Sequence, residues 1–390
     1  MPVPRPQLLL LLAACTGSEA PAPPADSGAS DDANRVVSLP APQDGYQVVT
    51  DPTEVPPYAE VEICTVVRVD PRDGERFAWV GRLESLVSPG THHMNVFMGQ
   101  FSFLDGYLGE GASEAALGVP LGTYDCADLS VMESAFPIFP SQRENQEIVF
   151  PPGVAVPLPA PLVLVFSHHF VNPHDYPVTI NAALNVEAVP GSAVEQVAGI
   201  VFDGAPIELP AGQRSTAERT CVFDRDVSVA LVSTHTHEWA DCATLHHYEG
   251  ADQGIEDRPF YANHDWDRPP ILSFSEGAYD IQAGDGVHFG CHYTNDTDRT
   301  LVNDGTAEGE MCVFAAVTWP LPNTVGEVTS ILEGGSLDAL VQLMGDAMGP
   351  CAEVRDDLTG PWSADPTPLD GGTFCEGLPQ TETTTLDALP

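Results

Sequence analysis

The chain has 390 residues, of which 57 are acidic and 14 are lysine or arginine, and all fourteen of these are arginine. A formal net charge of −43 disfavours nucleic acid and anionic lipid surfaces as partners, because both require basic residues to neutralise phosphate. The absence of lysine excludes Schiff-base chemistry through a side chain. With 43% hydrophobic residues, the chain is long and apolar enough for two globular domains.

The first residues have the pattern of an export signal. Arg5 precedes an apolar run over residues 8–14, and Leu12-Ala13-Ala14-Cys15 resembles a bacterial lipobox, in which the cysteine is lipidated. We expect residues 1–15 to be a lipoprotein signal peptide and Cys15 the anchor, with an ordinary secretory signal as the alternative. Residues 16–42, rich in Pro, Ala, Ser and Asp, predict a flexible tether. The protein is therefore expected at the periplasmic or outer face of a bacterial membrane, held there only by its lipid.

The cysteines other than Cys15 number eight, and an even number in an exported chain predicts up to four disulfides. None forms a CxxC pair, which argues against a zinc ribbon. Spacing alone does not fix the pairing. Proximity in the sequence suggests Cys64–Cys126 and Cys351–Cys375.

Alternation of apolar and polar residues with period two dominates the chain. It is cleanest over residues 178–188 and predicts half-buried antiparallel strands. Further predicted strands cover residues 61–69, 161–170, 227–238, 286–293 and 310–319. With 37 prolines and 34 glycines at turns, the pattern predicts an all-β fold of two tandem antiparallel β-sandwich, jelly-roll-like domains.

One helix is predicted near the C-terminus, over residues 336–348. Its apolar residues lie on one stripe, Ser336 suits the N-cap, and Gly349-Pro350 ends it. A boundary at Pro190-Gly191-Ser192 divides the rest. The predicted domains are residues 43–190 and 191–325, followed by a short helical appendage with a loose tail over residues 326–390.

Two pairs stand out among the twelve histidines. His235 and His237 lie at positions i and i+2, so on a strand both imidazoles project from one face and converge on one ion. His92 and His93 are adjacent, which in a regular strand sends them to opposite faces. Each pair is followed, about the same distance later, by a single candidate ligand: His169 in the first case and Met311 in the second. Imidazoles with a thioether suit Cu⁺, and zinc remains possible for the all-histidine set.

The order of these motifs is similar to that of the copper type II, ascorbate-dependent monooxygenases, a family that includes peptidylglycine α-hydroxylating monooxygenase and dopamine β-monooxygenase. The resemblance rests on His-His-Met at 92–94, His-Phe-Val-Asn-Pro at 169–173, His-Thr-His at 235–237 and Glu-Met-Cys at 310–312. It covers about residues 45–322.

The resemblance implies two copper ions per chain. The electron-transfer copper would be held in the first domain by His92, His93 and His169. The catalytic copper, where oxygen and substrate meet, would be held in the second domain by His235, His237 and Met311. His168 rivals His169, but the following Phe-Val-Asn-Pro sequence favours His169. The resemblance also implies a disulfide between Cys291 and Cys312.

The implied activity is an exported copper monooxygenase that hydroxylates an activated C–H bond of a small organic substrate. O₂ is the oxidant, and ascorbate or another one-electron reductant is the co-substrate. Its partners are then a small molecule and O₂, with no nucleic acid, and we take the protein as a monomer.

Two departures from the family pattern affect the expected substrate. Ser233 occupies a position where the peptide-amidating members have arginine. Val313, Phe314 and Ala315 replace polar and aromatic residues that hold the substrate carboxylate. A glycine-extended peptide is therefore not the expected substrate. The alternative function is a non-catalytic copper-binding surface lipoprotein for storage, delivery or sensing.

A further histidine pair lies at His246-His247, and the sequence shows no matching third ligand for it.

Overall fold

The computed structural model describes residues 35–70, 76–99, 104–105, 110–129, 135–141, 143–274, 279–303, 309–349, 351–358, 360, 367–369, 375 and 377–383. Cys15, the predicted signal peptide and most of the predicted tether lie outside these residues. Strands dominate the described part, with a few short helices, so the all-β prediction is confirmed at that level. Within the same ranges, none of the helices combines the length and apolar character needed to cross a membrane.

The first half of the chain forms two larger sheets and a small one. Its strands are β1 Gly45–Val49, β2 Thr53–Val55, β3 Glu60–Val69, β4 Phe77–Val87, β5 Thr91–Gly99, β6 Gly122–Asp125, β7 Ala135–Ser141, β8 Asn145–Val149, β9 Val154–Pro159, β10 Leu162–Val171, β11 Val178–Ile180, β12 Ala182–Ala188 and β13 Gln196–Val197. One sheet has the order β1-β12-β4-β9-β13, with β8 also on β4, and the other has the order β6-β3-β10-β5-β7. Strands β2 and β11 pair separately.

The second half repeats this arrangement. Its strands are β14 Gly199–Gly204, β15 Glu208–Leu209, β16 Gln213–Val222, β17 Val227–His235, β18 Ala240–Tyr248, β19 Tyr261–Asn263, β20 Leu272–Ser273, β21 Asp280–Ile281, β22 Gly286–Asn295, β23 Leu301–Val302, β24 Val313–Trp319, β25 Glu353–Arg355 and β26 Thr367–Pro368. One sheet runs β14-β24-β17-β20, with β21 on β17, and the other runs β19-β18-β22-β16-β25, with β26 on β16. The paths β1-β12-β4-β9 and β3-β10-β5 of the first half thus recur as β14-β24-β17-β20 and β16-β22-β18.

A pair of asparagines marks the same repeat. Asn172 follows the central strand β10, and Asn295 ends the central strand β22. Each amide nitrogen lies within hydrogen-bond distance of three backbone carbonyl oxygens and so closes the turn beside it. Both asparagines are almost fully buried, as expected of polar side chains whose partners lie in the protein.

Two buried apolar clusters each draw on both larger sheets of one half, and the first cluster also extends into the second half, for example to Leu231. In the first half, Leu184 of β12 and Phe166 of β10 belong to one cluster. In the second half, Val232 of β17 and Phe289 of β22 belong to another. This shared burial is the main favourable contribution to folding of each half.

The helices are α1 Ala112–Leu117, α2 Gly250–Gln253, α3 Val325–Gly334 and α4 Leu337–Met348. Helix α4 corresponds to the predicted helix, and the Ser336 hydroxyl accepts a hydrogen bond from the Ala339 N–H at its N-cap. Helix α3 was not predicted from the sequence. It begins with a capping box, in which Thr324 and Glu327 each accept from the other's backbone N–H.

Four disulfides link the described cysteines. Cys64–Cys126 and Cys291–Cys312 form as expected, whereas the suggested Cys351–Cys375 pair is wrong. Cys351 bonds instead to Cys221, and Cys375 bonds to Cys242. The reason is that the C-terminal chain adds β25 and β26 to strand β16, which brings these two cysteines against different strands of the second half.

Candidate metal centre

The first histidine group lies where strands β5 and β10 meet. His93 is paired with His169, but the next register pair is Thr91 with Phe170, so His92 has no partner across the ladder. His92 is thus the extra residue of a β-bulge, which interrupts the alternation of side chains. The bulge explains how two adjacent histidines reach the same side of one sheet.

The three imidazoles of this group form a nearly equilateral triangle. The ring centroids of His92, His93 and His169 are 5.2, 4.9 and 5.0 Å apart. One ligand nitrogen from each lies within 4.8 Å of the others, and His92 Nδ1 is 3.0 Å from His93 Nδ1. Such an arrangement fits a single metal ion held by imidazole nitrogens.

Two carboxylates hold the far nitrogens of this group. His169 Nε2 lies 2.9 Å from Glu60 Oε1, and His92 Nε2 lies 2.5 Å from Asp267 Oδ1. The second is a close contact without the alignment of a hydrogen bond. A carboxylate on one imidazole nitrogen directs the other nitrogen to a metal, so Nδ1 is the expected ligand atom of His92 and His169. Asp267 comes from the second half, as does Trp266, whose ring centroid is 5.5 Å from that of His92.

Burial favours the neutral form of His92 and His93. Burial, and then the nearby His169, His92 and His235, hold the pKa of His93 well below its ordinary value. Burial also lowers the pKa of His92, and the Asp267 carboxylate opposes that shift. Neutral imidazole is the form that binds a metal. The effect of His235 on His93 further indicates that the two histidine groups lie near each other.

His168, the rival of His169, is directed elsewhere. Its Nε2 lies 2.8 Å from the Thr91 hydroxyl, and burial lowers its pKa to about 4. Neighbouring residues of a strand point to opposite faces, so only His169 joins His92 and His93.

The second histidine group lies at one end of the sheet β14-β24-β17-β20. Strand β17 ends at His235, which is paired with Val313 of β24. His237 therefore lies just beyond the strand rather than on it, contrary to the prediction, but its ring centroid is still 5.2 Å from that of His235. Met311 lies two residues before Val313, which brings its backbone to the same end of the sheet. Tyr293 fixes it there by donating a hydrogen bond of 2.8 Å to the Met311 carbonyl.

Hydrogen bonding and burial select the form of these two histidines. His237 Nδ1 lies 3.0 Å from the Gly309 carbonyl oxygen. A carbonyl only accepts, so Nδ1 carries the proton and Nε2 is the nitrogen that would hold a metal. Burial, and secondarily His237, lower the pKa of His235 to about 3, so His235 is neutral at pH 7.

Glu310 is a residue of this group to which the sequence assigned no role. It is 0% exposed, and burial raises its pKa to about 8. Neither carboxylate oxygen has an aligned hydrogen bond among the described residues. The backbone at His237 and Met311 nevertheless favours the ionised carboxylate and opposes part of the rise in its pKa. One oxygen is 3.7 Å from His237 Nδ1. A buried carboxylate without partners is costly, and a cation bound by the neighbouring histidines would offset that cost.

An open cleft of about 720 Å³ adjoins the first histidine group. Residues of both halves line it, among them His92, Arg143, Asp265 and Arg268. The C-terminal segment also borders it, and Arg143 donates a 2.7 Å hydrogen bond to the Thr383 hydroxyl. Small molecules from solvent therefore have access to His92.

Three positions at which the sequence departs from the copper monooxygenase pattern are buried in the fold. Ser233 is buried and donates a hydrogen bond to the Pro270 carbonyl oxygen. Val313 and Phe314 are buried in β24. These positions therefore offer no charged group to a substrate carboxylate.

Comparisons with known proteins do not assign this chain to a protein family. No protein family and no curated protein matches its sequence. One solved structure that aligns with it is PBCV-1 VP54 fitted into a cryo-EM reconstruction of the virophage Sputnik, at 7% identity and a TM-score of 0.23. The alignment covers 72% of this chain and 95% of that one. At this TM-score neither fold nor function is transferable, and the site is interpreted from its own residues.

Proposed function

We propose that this protein is an exported copper monooxygenase that hydroxylates an activated C–H bond of a small organic substrate. The observation that carries the proposal is the convergence of His92, His93 and His169 beside a second histidine pair whose strand register brings Met311 near. When bound, copper would supply the one-electron chemistry that joins a reductant such as ascorbate to the reduction of O₂.

The side chains divide the work between two metal positions. His92, His93 and His169 would hold the electron-transfer copper, with Asp267 and Glu60 orienting two of the rings. His235, His237 and Met311 would hold the catalytic copper. All these ligands are uncharged, and a thioether among imidazoles favours Cu⁺ over harder cations.

The architecture and location belong to the same proposal. We infer that the two larger sheets of each half pack face to face as a sandwich, since each buried cluster draws on both sheets. Export and lipidation at Cys15 place the enzyme at the bacterial surface or in the periplasm, where the disulfides are stable.

The test is the copper content of the purified protein after loading with Cu⁺ and removal of loosely bound metal. We expect two ions per chain in the wild type and one in each of the variants His92→Ala and His235→Ala. The control His264→Ala removes an exposed histidine and should keep both ions. Oxygen consumption with ascorbate is then measured over a panel of small organic substrates. We expect hydroxylated product from the wild type and from His264→Ala, and none from His92→Ala or His235→Ala.

Two outcomes contradict the proposal in different ways. A chain that binds no copper removes both the enzyme and the copper-binding alternative. Two bound ions with no substrate-dependent oxygen consumption over the panel would favour storage, delivery or sensing instead.

A further inference from the structure

The second histidine of the pair His246-His247 lies near the end of strand β18, just before a tight turn. The chain reverses through the one-turn helix α2, which begins at Gly250 and is followed by Gly254, both with positive φ. The Glu249 N–H donates to the Gly254 carbonyl, and the Glu256 N–H donates to the His247 carbonyl. The turn is thus closed by backbone hydrogen bonds and holds a fixed shape.

This shape brings three candidate ligands together. His247 and Glu249 lie two positions apart along the extended chain and share one side of it. Glu256 lies opposite His247 on the returning segment. One ligand atom from each of the three lies within 4.8 Å of the other two. The sequence could not show this, because the third ligand returns only after the reversal.

Two buried polar atoms at this turn have no hydrogen-bond partner among the described residues: His247 Nε2 and the Tyr279 hydroxyl. Such atoms are rare in folded proteins, because each keeps the full cost of losing water. The Tyr279 ring packs between Phe260 and Phe274, at centroid distances of 4.6 and 4.9 Å. It is 5.9 Å from the His247 ring, so both unpartnered atoms belong to one small region.

We propose that His247, Glu249 and Glu256 form a third metal site, which binds a divalent cation of the zinc type. One imidazole and two carboxylates are a set that Zn²⁺ accepts, with solvent in the fourth position. The set contains no sulfur, so it does not favour Cu⁺. Two carboxylates and a neutral imidazole balance the charge of the ion, and the ion gives His247 Nε2 its missing partner.

Tyr279 has a positioning role in this site. Burial, and secondarily the Glu256 carboxylate, raises the pKa of Tyr279, which keeps it a phenol. With the ion bound, this unpartnered hydroxyl would donate a hydrogen bond to a carboxylate ligand and orient it toward the metal. The bound ion therefore braces the turn and the aromatic cluster behind it.

The test uses the full chain carrying His92→Ala and His235→Ala, which weaken the two proposed copper sites, so its outcome does not depend on the copper proposal. Zn²⁺ is the probe, at free concentrations set by a weak chelator, and bound metal is counted after equilibrium dialysis. We expect one tightly bound Zn²⁺ per chain. Adding His247→Ala or Glu256→Gln should weaken this binding by at least about tenfold.

A matched control separates ligand loss from a general charge effect. Glu208→Gln removes an equally exposed carboxylate in the same half and should leave the affinity unchanged. Glu256 is exposed, so its glutamine variant folds even if His247→Ala does not. Absence of a tight Zn²⁺, equal affinity in Glu256→Gln and its parent, or tighter binding of Ca²⁺ than of Zn²⁺ would each overturn the proposal.

Discussion

At the scale of single residues, the second half contains a layer of buried histidines on the face of strand β22 away from the apolar core. His288 and His292 alternate with the core residues Phe289 and Cys291. Their Nδ1 atoms lie 2.9 and 3.1 Å from the hydroxyls of Thr220 and Thr216, respectively. His246 lies opposite His288 across the ladder. Burial lowers the pKa of both His246 and His292 to about 4, so these two imidazoles are neutral at pH 7.

This layer makes stability depend on pH. Burial and the neighbouring histidines lower the pKa of His292 from 6.5 to about 4, and the Glu218 carboxylate opposes this shift. Between these values the unfolded chain binds a proton that the folded chain does not, so the free energy of unfolding falls as the pH is lowered. His292→Gln has no such proton. The free energy of unfolding of both proteins is measured by denaturation between pH 7 and pH 4. As the pH falls, the variant should gain stability relative to the wild type, by a total of about 3 kcal/mol.

The difference between variant and wild type at pH 7 provides the baseline for this measurement. It contains the cost of the altered packing, which does not depend on pH. Curves that stay parallel down to pH 4 would show that His292 takes up its proton in the folded state as readily as in the unfolded one.

The two histidine groups were recognised from the sequence at this scale, and the acids beside them were not. Paired histidines stand out locally because the chain has only twelve histidines. Asp267 and Glu310 are single acids among 57, and nothing local distinguishes them. Only the fold brings Asp267 to His92 and buries Glu310 beside His237.

At the scale of elements, helix α4 lies directly on strand β14 because Gly199 has no side chain. A Cβ atom at Gly199 would lie 2.7 Å from the Ala347 carbonyl oxygen of the helix and 2.6 Å from Leu321 Cδ2. Gly204, at the other end of the same strand, has its nearest such neighbour at 3.6 Å. Close packing of the helix therefore requires glycine at position 199 but not at position 204.

Exchange of these glycines for alanine tests the contact. Gly199→Ala forces the helix away from the sheet, and we expect a loss of about 1–3 kcal/mol in the free energy of unfolding, as for other overpacked sites. Gly204→Ala should be nearly neutral. Denaturant titration of both variants measures the difference, and equal effects would mean that the helix shifts without cost.

Strands and helices differ in how well the sequence predicted them. Helix α4 was recognised from its apolar stripe and its cap, which are local features. Helix α3 carries a capping box but is only ten residues long, and its burial depends on the sheet it covers. For the strands, alternation predicted where they run, but the bulge at His92 depends on the register with β10 and is not visible in β5 alone.

At the scale of the whole molecule, the repeated topology shows where the equivalent of the first histidine group would lie in the second half, and why the described residues form no such group there. The pair His93–His169 occupies strands β5 and β10, and the corresponding pair on β18 and β22 is Cys242–His292. His169 and His292 each lie three residues before the turn-closing asparagine of their half. In the second half, however, the cysteine is bonded to Cys375. The C-terminal chain thus occupies the position that a metal would take in the first half.

The two halves also meet at the first histidine group. The loop containing Trp266 and Asp267 reaches from the second half to His92, and an arginine of the first half binds the C-terminal segment. The sequence could not show this contact, since its residues are far apart along the chain. Metal affinity in one half is therefore expected to depend on a residue of the other.

Asp267→Ala tests that dependence. Without the carboxylate, the His92 ring is no longer held with Nδ1 toward His93, and loss of such a partner costs metal affinity about 10- to 100-fold. Competition with a colorimetric Cu⁺ chelator should show this loss at the first site, with the second site unchanged. Glu144→Gln removes another carboxylate bordering the same cleft and should leave both affinities as in the wild type. If Asp267→Ala bound Cu⁺ as tightly as the wild type, His92 would be oriented by its own strand alone, and the second half would have no part in building the first site.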